Sequence, residues 1–204
     1  MSGTGRIAVG LYGGSYNPLH RGHLAVARHA VESGVLSQVW LTVSPENPFK
    51  HEAQMAPAAD RLAMAELGVR DVGLSDIVKV SDVELSMPRP SYTIDTLRLL
   101  AERYPEVDFK VVIGADNVAD FHKWKDWERI VSDYGVVVYP RPGYELERIP
   151  FPCVVLEGCP ESDASSTEVR RLVRDGDVCR EQLLRLVEPS VAEYILSSHL
   201  YERE

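Results

Sequence analysis

The 204-residue chain is short of cysteine: Cys153, Cys159 and Cys179 are its only three, and no Cys-x-x-Cys pair is formed. An odd, unpaired set excludes a disulfide framework and points to a reducing compartment in which cysteines act as packing residues. No apolar run approaches the roughly 20 residues needed to span a bilayer. Met1–Gly5 carries no signal-peptide apolar region, so the expected location is cytoplasmic, with no membrane partner. Positive charge is also scarce, 22 Lys and Arg against 31 Asp and Glu, giving a formal net charge of −9. A broad basic surface for nucleic acid is therefore not expected. Any phosphate ligand must be met by a few local cations and backbone amides. Two familiar glycine motifs are missing as well: no Gly-x-Gly-x-x-Gly follows the first apolar run, and there is no Gly-x-x-x-x-Gly-Lys-Ser/Thr. A dinucleotide dehydrogenase and a P-loop kinase are both disfavoured on that ground.

What is present is an ordinary globular composition, 45% hydrophobic and 26% charged, read as one domain over residues 1–204 with a core of its own. Short β-branched runs alternate with helical patterns. The expected strands are Ile7–Tyr12, Gln38–Val43, Ile77–Val83, Phe109–Ile113, Gly135–Tyr139 and Cys153–Leu156. The expected helices are Arg21–Ser33, Ala58–Leu67, Thr93–Tyr104, Val118–Phe121, Trp124–Ser132, Thr167–Asp175, Arg180–Val187 and Pro189–His199. Strands without strict alternation belong to a sheet covered on both faces, so the fold class is α/β, a doubly wound, mostly parallel sheet with C-terminal helices. Ligands in such sheets bind outside the carboxyl ends of the strands.

Gly13-Gly14-Ser15-Tyr16-Asn17-Pro18-Leu19-His20-Arg21-Gly22-His23 occupies that place after the first strand. A strand, a glycine turn and a helix start bring free amides and the positive end of a helix dipole together, which suits an anion. His20 and His23 share a face of the first helical turn. A plainer reading has Gly13-Gly14 as a simple turn, Asn17 as the N-cap and Pro18 at the first helical position. Late in the chain, Asp163-Ala164-Ser165-Ser166-Thr167-Glu168-Val169-Arg170 reads as a capping box that also offers hydroxyls, amides and a guanidinium to a phosphate.

The glycine turn with His-x-Gly-His, joined to the late Ser-Ser-Thr-x-x-Arg, resembles the adenylyltransferase branch of the nucleotidyltransferase superfamily. Pro90–Leu97, Ile113-Gly114-Ala115-Asp116 and Phe121–Trp127 bring it close to the bacterial nicotinate-mononucleotide adenylyltransferases, and the resemblance runs from about Gly10 to Arg174. It implies a Rossmann-like nucleotidyltransferase that adenylylates nicotinate mononucleotide with ATP and Mg2+, by direct attack of the acceptor phosphate on the α-phosphorus. His20, His23, Lys50 and Arg170 would stabilise charge. ATP would meet Gly13, Gly14, Ser15, Gly114, Asp116, Ser165, Ser166 and Thr167. Tyr92, Thr93, Trp124, Lys125 and Arg141 would meet the mononucleotide. No protein cage for a metal is expected, because magnesium is held mainly by phosphate oxygens and water. Ser15-Tyr16-Asn17 departs from the usual Thr-Phe-Asp and removes a carboxylate, and Lys125 stands where a tyrosine is common.

Alternatives remain at this stage. Trp124 and Trp127, at i and i+3, fit a core face as well as a stacking platform. A sister enzyme acting on phosphopantetheine or nicotinamide mononucleotide, and a nucleotide sensor without catalysis, share the phosphate motifs. Oligomeric state is open, a homo-oligomer included.

Overall fold

The computed structural model describes residues 6–45, 55–144, 146, 148–176 and 180–202. Lys50 and Cys179 lie outside the described residues. Strands β1 (Ile7–Gly14), β2 (Gln38–Val43), β3 (Val78–Ser81), β4 (Val107–Gly114), β5 (Val136–Tyr139) and β6 (Val154–Val155) make one sheet in the order β3-β2-β1-β4-β5-β6. Every pairing is parallel. The chain moves outward from β1 to β3 and then crosses to β4 on the other side of β1, so the order reverses between β1 and β4. Helices α1 (Arg21–Glu32), α2 (Ala58–Asp71), α3 (Thr93–Arg103), α4 (Trp127–Arg129), α5 (Ser166–Arg174), α6 (Arg180–Leu186) and α7 (Pro189–Ser197) complete the fold.

The sheet is buried on both faces, which is why its strands read as apolar runs. Alternate residues still sort by face. Tyr12, Val39, Leu41, Val137 and Tyr139 pack with Leu24, Ala27 and Ala30 of α1. Val9, Leu11, Trp40, Val136 and Val138 pack with Ile94, Leu97 and Leu100 of α3. A third cluster, with Met64 of α2, Val169 and Val173 of α5, Leu183 of α6 and Val191 and Ile195 of α7, joins the C-terminal helices to the sheet's helical cover.

Several local expectations are corrected. Gly13 and Gly14 do not form a turn: they are the last residues of β1, paired with Thr42 and Val43. The reversal lies in Ser15–Leu19, where Tyr16 is left-handed at φ 46 and the Asn17–Pro18 bond is cis. Asn17 is not the N-cap of α1 and Pro18 is not its first residue; His20 is the cap. The run Ile77–Val83 gives only the four residues of β3, followed by a 3-10 turn over Val83–Ser86. Val118–Phe121 is not a helix; 3-10 turns occupy Ala115–Asn117 and Phe121–Lys123. Trp124–Ser132 is broken by left-handed Asp126 at φ 50, and α4 continues as a π turn over Ile130–Tyr134. Among the described residues no helix is long and apolar enough to cross a membrane.

Candidate active site

Beyond the carboxyl end of β1, the two histidines close the first turn of α1 themselves. His20 Nδ1 accepts from the Gly22 N–H at 3.2 Å, and His23 Nδ1 accepts from the His20 N–H at 3.3 Å. Their rings lie 3.7 Å apart, tilted by 31°. The glycine inside the motif has a steric reason: a Cβ on Gly22 would stand 3.0 Å from His20 Cε1 and 3.1 Å from Nδ1. A ring nitrogen that accepts an N–H carries no proton, so both imidazoles are the neutral tautomer with a proton on Nε2. Burial, with the Arg141 guanidinium nearby, lowers the His20 pKa to about 3. With Nδ1 engaged in the cap, each ring keeps Nε2–H as its donor, so the charge stabilisation expected of His20 would have to come from a dipole rather than from a cation.

Arg141, after β5, lines the same cleft as His20, His23, Tyr12 and Tyr139. Its Nη2 donates to Tyr139 Oη at 3.3 Å, and Tyr12 O–H donates to the same oxygen at 3.0 Å. Its Nε stands 3.6 Å from Asp116 Oδ1, an ion pair without a hydrogen bond. Glycine at 114 leaves room for this pair, since a Cβ would come within 2.2 Å of Asp116 Oδ1 and 3.0 Å of the Tyr139 hydroxyl and would make those side chains shift. A Cβ on Gly13, by contrast, would meet nothing within 4 Å, so the exposed end of β1 is open to a ligand lying on the backbone.

The start of α5 reaches the same loop. Ser166 donates its hydroxyl to the Pro18 carbonyl at 2.9 Å, and Arg170 Nη1 donates to the Asn17 carbonyl at 2.6 Å. Arg170 Nη2 is 3.4 Å from Thr167 Oγ1. The expected capping box forms only by half. Ser165 Oγ accepts from the Glu168 N–H at 3.1 Å, but the Glu168 carboxylate turns to Arg171, at 2.7 Å and 2.9 Å. A bidentate guanidinium outcompetes a single backbone amide for it.

The third group surrounds the start of α3. Tyr92 is the N-cap and contributes no side-chain cap, and Thr93 opens the helix. Lys125 Nζ lies 4.8 Å from the Tyr92 ring centroid and 2.7 Å from Asp95 Oδ2. Trp124 is half-buried, its ring 5.0 Å from that of Phe121, and Trp127 packs on Phe121 as well, at 6.4 Å. The core face read from the Trp124 and Trp127 spacing is real, and Trp124 keeps partial exposure beside it.

Three buried polar residues went unread in the sequence. Arg61 of α2 is 1% exposed, and its guanidinium donates to the carbonyls of Ala56, Ser15 and Ser44 at 3.0, 2.5 and 2.8 Å. The Glu84 carboxylate accepts from Ser44 at 2.8 Å, Thr96 at 3.1 Å and Ser91 at 3.4 Å, tying the end of β2 to the entry of α3. Tyr139 carries Arg141. Partners of these kinds, mostly main chain or distant hydroxyls, leave no local pattern. A hollow of about 260 Å³ at the β3 edge, lined by Glu66, Arg70 and Ser75 among others, holds none of the site residues. Among the described residues no cluster of three or more His, Cys, Asp or Glu is disposed to hold a metal.

Imidazole donors, an arginine on each side and open strand-end backbone are gathered where the strand order reverses, an arrangement suited to the phosphates of a nucleotide. The cytidylyltransferase-like family model matches residues 11–172. A curated relative from Flavobacterium johnsoniae, named "Probable nicotinate-nucleotide adenylyltransferase", is 36% identical over 96% of this chain and 99% of its own length. A relative of the same name from Bacteroides fragilis is 41% identical over 82% of this chain and 83% of its length. The fold is that of the Plasmodium falciparum nicotinic acid mononucleotide adenylyltransferase complexed with NaAD. The TM-score is 0.77 at 18% identity, over 96% of this chain and 97% of that one. The chain belongs to the cytidylyltransferase-like family, in its nicotinate-nucleotide adenylyltransferase branch.

Proposed function

We infer that the protein transfers the adenylyl group of ATP to nicotinate mononucleotide, releasing pyrophosphate and nicotinic acid adenine dinucleotide. The observation that carries this reading is the pair of neutral imidazoles capping α1 at the switch point, with Arg141 beside them and Arg170 on the same loop. Chemistry of this kind asks the protein for positioning and charge stabilisation rather than for a nucleophile. The acceptor's 5′-phosphate oxygen attacks the α-phosphorus in line, and the bond to the β-bridging oxygen breaks. The attacking oxygen is already ionised, so no carboxylate base is required. His20 and His23 donate from Nε2 to the phosphate oxygens on which charge grows. Arg170, with Ser165, Ser166 and Thr167, receives the leaving pyrophosphate, and Lys50 supplies a further cation from outside the described residues. Gly13, Gly14 and Ser15 let the nucleotide lie along the strand end, and Gly114 and Asp116 serve its pocket together with Arg141.

Tyr92 and Thr93 meet the pyridine carboxylate at the start of α3, where free amides and the dipole favour an anion. Trp124 supports the ring, and Lys125 adds positive charge beside it. A divalent metal accompanies ATP in nucleotidyltransferases of this kind. Here we take it to be Mg2+, arriving on the triphosphate as part of the substrate. The reading keeps the enzyme cytoplasmic, with small molecules as its partners and neither nucleic acid nor membrane among them. Pyrophosphate release, measured with nicotinate mononucleotide, nicotinamide mononucleotide and phosphopantetheine as acceptors, tests it. The acid mononucleotide is expected to react fastest; equal rates with the amide, or turnover only with phosphopantetheine, would overturn the assignment.

A further inference from the structure

The C-terminal segment has no part in the chemistry described above, yet its end is folded into the catalytic loop. After α7 the backbone turns left-handed twice, at His199 (φ 52) and Tyr201 (φ 68), although neither residue is glycine. Such conformations persist where the surroundings over-determine them, and they cluster at functional sites. The Leu200 N–H returns to the Ile195 carbonyl at 3.1 Å, which closes the hook. It turns Tyr201 inward, 8% exposed, among Met64, Val169 and Val173. There the phenol donates to Asn17 Oδ1 at 2.8 Å, across 184 residues of chain. The same oxygen accepts from the Ala56 N–H at 3.0 Å. Asn17 is fully buried, and its backbone carbonyl is the acceptor for Arg170 Nη1 at 2.6 Å.

We propose that Tyr201 is a positioning residue for adenylyl transfer: through Asn17 it fixes the carbonyl against which Arg170 is set for the leaving pyrophosphate. The proposal rests on the role given to Arg170 above. Asn17 receives one donor from the chain end and one from the residue preceding Pro57, at the entry to α2. The two hold its side chain from 39 and 184 residues away along the chain, and the guanidinium then has a fixed partner on the main chain.

The test uses the full chain. Tyr201→Phe keeps the ring in its cluster and removes the single donor. It is expected to lower kcat/KM for ATP about five- to tenfold, the size of one hydrogen bond, while KM for the mononucleotide stays within about twofold. In an Arg170→Ala background the same substitution should change the rate by less than about twofold, since residues acting through one another are non-additive. Leu200→Ala, which trims the hook without touching the hydrogen bond, should lower Tm and leave kcat/KM for ATP unaltered. An undiminished loss from Tyr201→Phe in the Arg170→Ala background would overturn the proposal, as would a matching loss from Leu200→Ala or no loss at all. Wild-type turnover in Arg170→Ala alone would remove both this proposal and the role of Arg170. Absence of pyrophosphate release from the unaltered protein with nicotinate mononucleotide would instead overturn the proposed function.

Discussion

Around the β1–α1 loop, functional side chains are buried or bound to main chain: His20 and His23 on amides, Arg170 on the Asn17 carbonyl, Asn17 itself on Ala56 and Tyr201. Around the start of α3 they are held by one another near water. Lys125 pairs with Asp95 and Arg98 with Asp126, with side chains 34–43% exposed. The first arrangement fixes geometry before any substrate arrives, as stabilisation of a transition state requires. The second can be rearranged cheaply, because exposed ion pairs contribute at most about 1 kcal/mol. On the proposed function, a preorganised phosphate end and an adaptable acceptor end would divide rate from specificity along the carboxyl ends of the strands.

The largest test of that division is His23→Ala. Removing a preorganised donor of this kind typically costs ~3 kcal/mol, so kcat should fall about 10²–10³-fold with an unchanged fold. Near wild-type turnover in the folded variant would erase the contrast between the two ends.

A second effect is read without substrate. His20 is neutral when folded, with a pKa of about 3, against 6.5 for the free group. Below 6.5 the unfolded chain binds a proton that the folded chain does not, so the contribution of His20 to stability falls as pH falls from 6.5 toward 3. Between pH 6.5 and 5 the loss should be about 2 kcal/mol in urea unfolding, and it should vanish in His20→Ala. An unaltered pH slope in that variant would show that the cap titrates like an exposed histidine.

At the adaptable end, Trp124→Ala should weaken the mononucleotide by roughly 1–2 kcal/mol and ATP much less, from lost ring stacking. Equal losses for both substrates would mean that Trp124, like Trp127, serves the Phe121 core alone. The smallest expected change is in selectivity. Lys125→Met should narrow the preference for the acid over the amide mononucleotide by about two- to fivefold, as befits a half-exposed charge. A larger collapse in kcat/KM for both acceptors would place Lys125 in the fixed part of the site.

The central sheet could be read from apolar runs because both its faces are covered: Gln38–Val43 is found as expected, and Ile7–Tyr12 extends to Gly14 only because the glycines pair with β2. Helices with a buried stripe, α1 and α3, were legible for the same reason. The segment from Ala115 to Tyr134 was not, since its 3-10 and π turns hinge on left-handed Asp126 and on packing around Phe121, neither of which has a period. In the site, residue types that suit phosphate chemistry were visible at the strand ends. What sets their orientation was hidden: Arg61 bonds main-chain carbonyls, and Tyr201 finds Asn17 from the far end of the chain.

Arg61 has a consequence for how the protein can vary. Its guanidinium also reaches the Pro45 carbonyl at 3.4 Å, so with Ser44 and Ala56 it grips the two chain ends flanking residues 46–55 through carbonyl oxygens. A contact to a peptide oxygen places no demand on the side chain of the residue that carries it. Positions 45 and 56 are therefore free to exchange side chains over evolutionary time, or in a directed library, while these points of attachment to the sheet stay where they are.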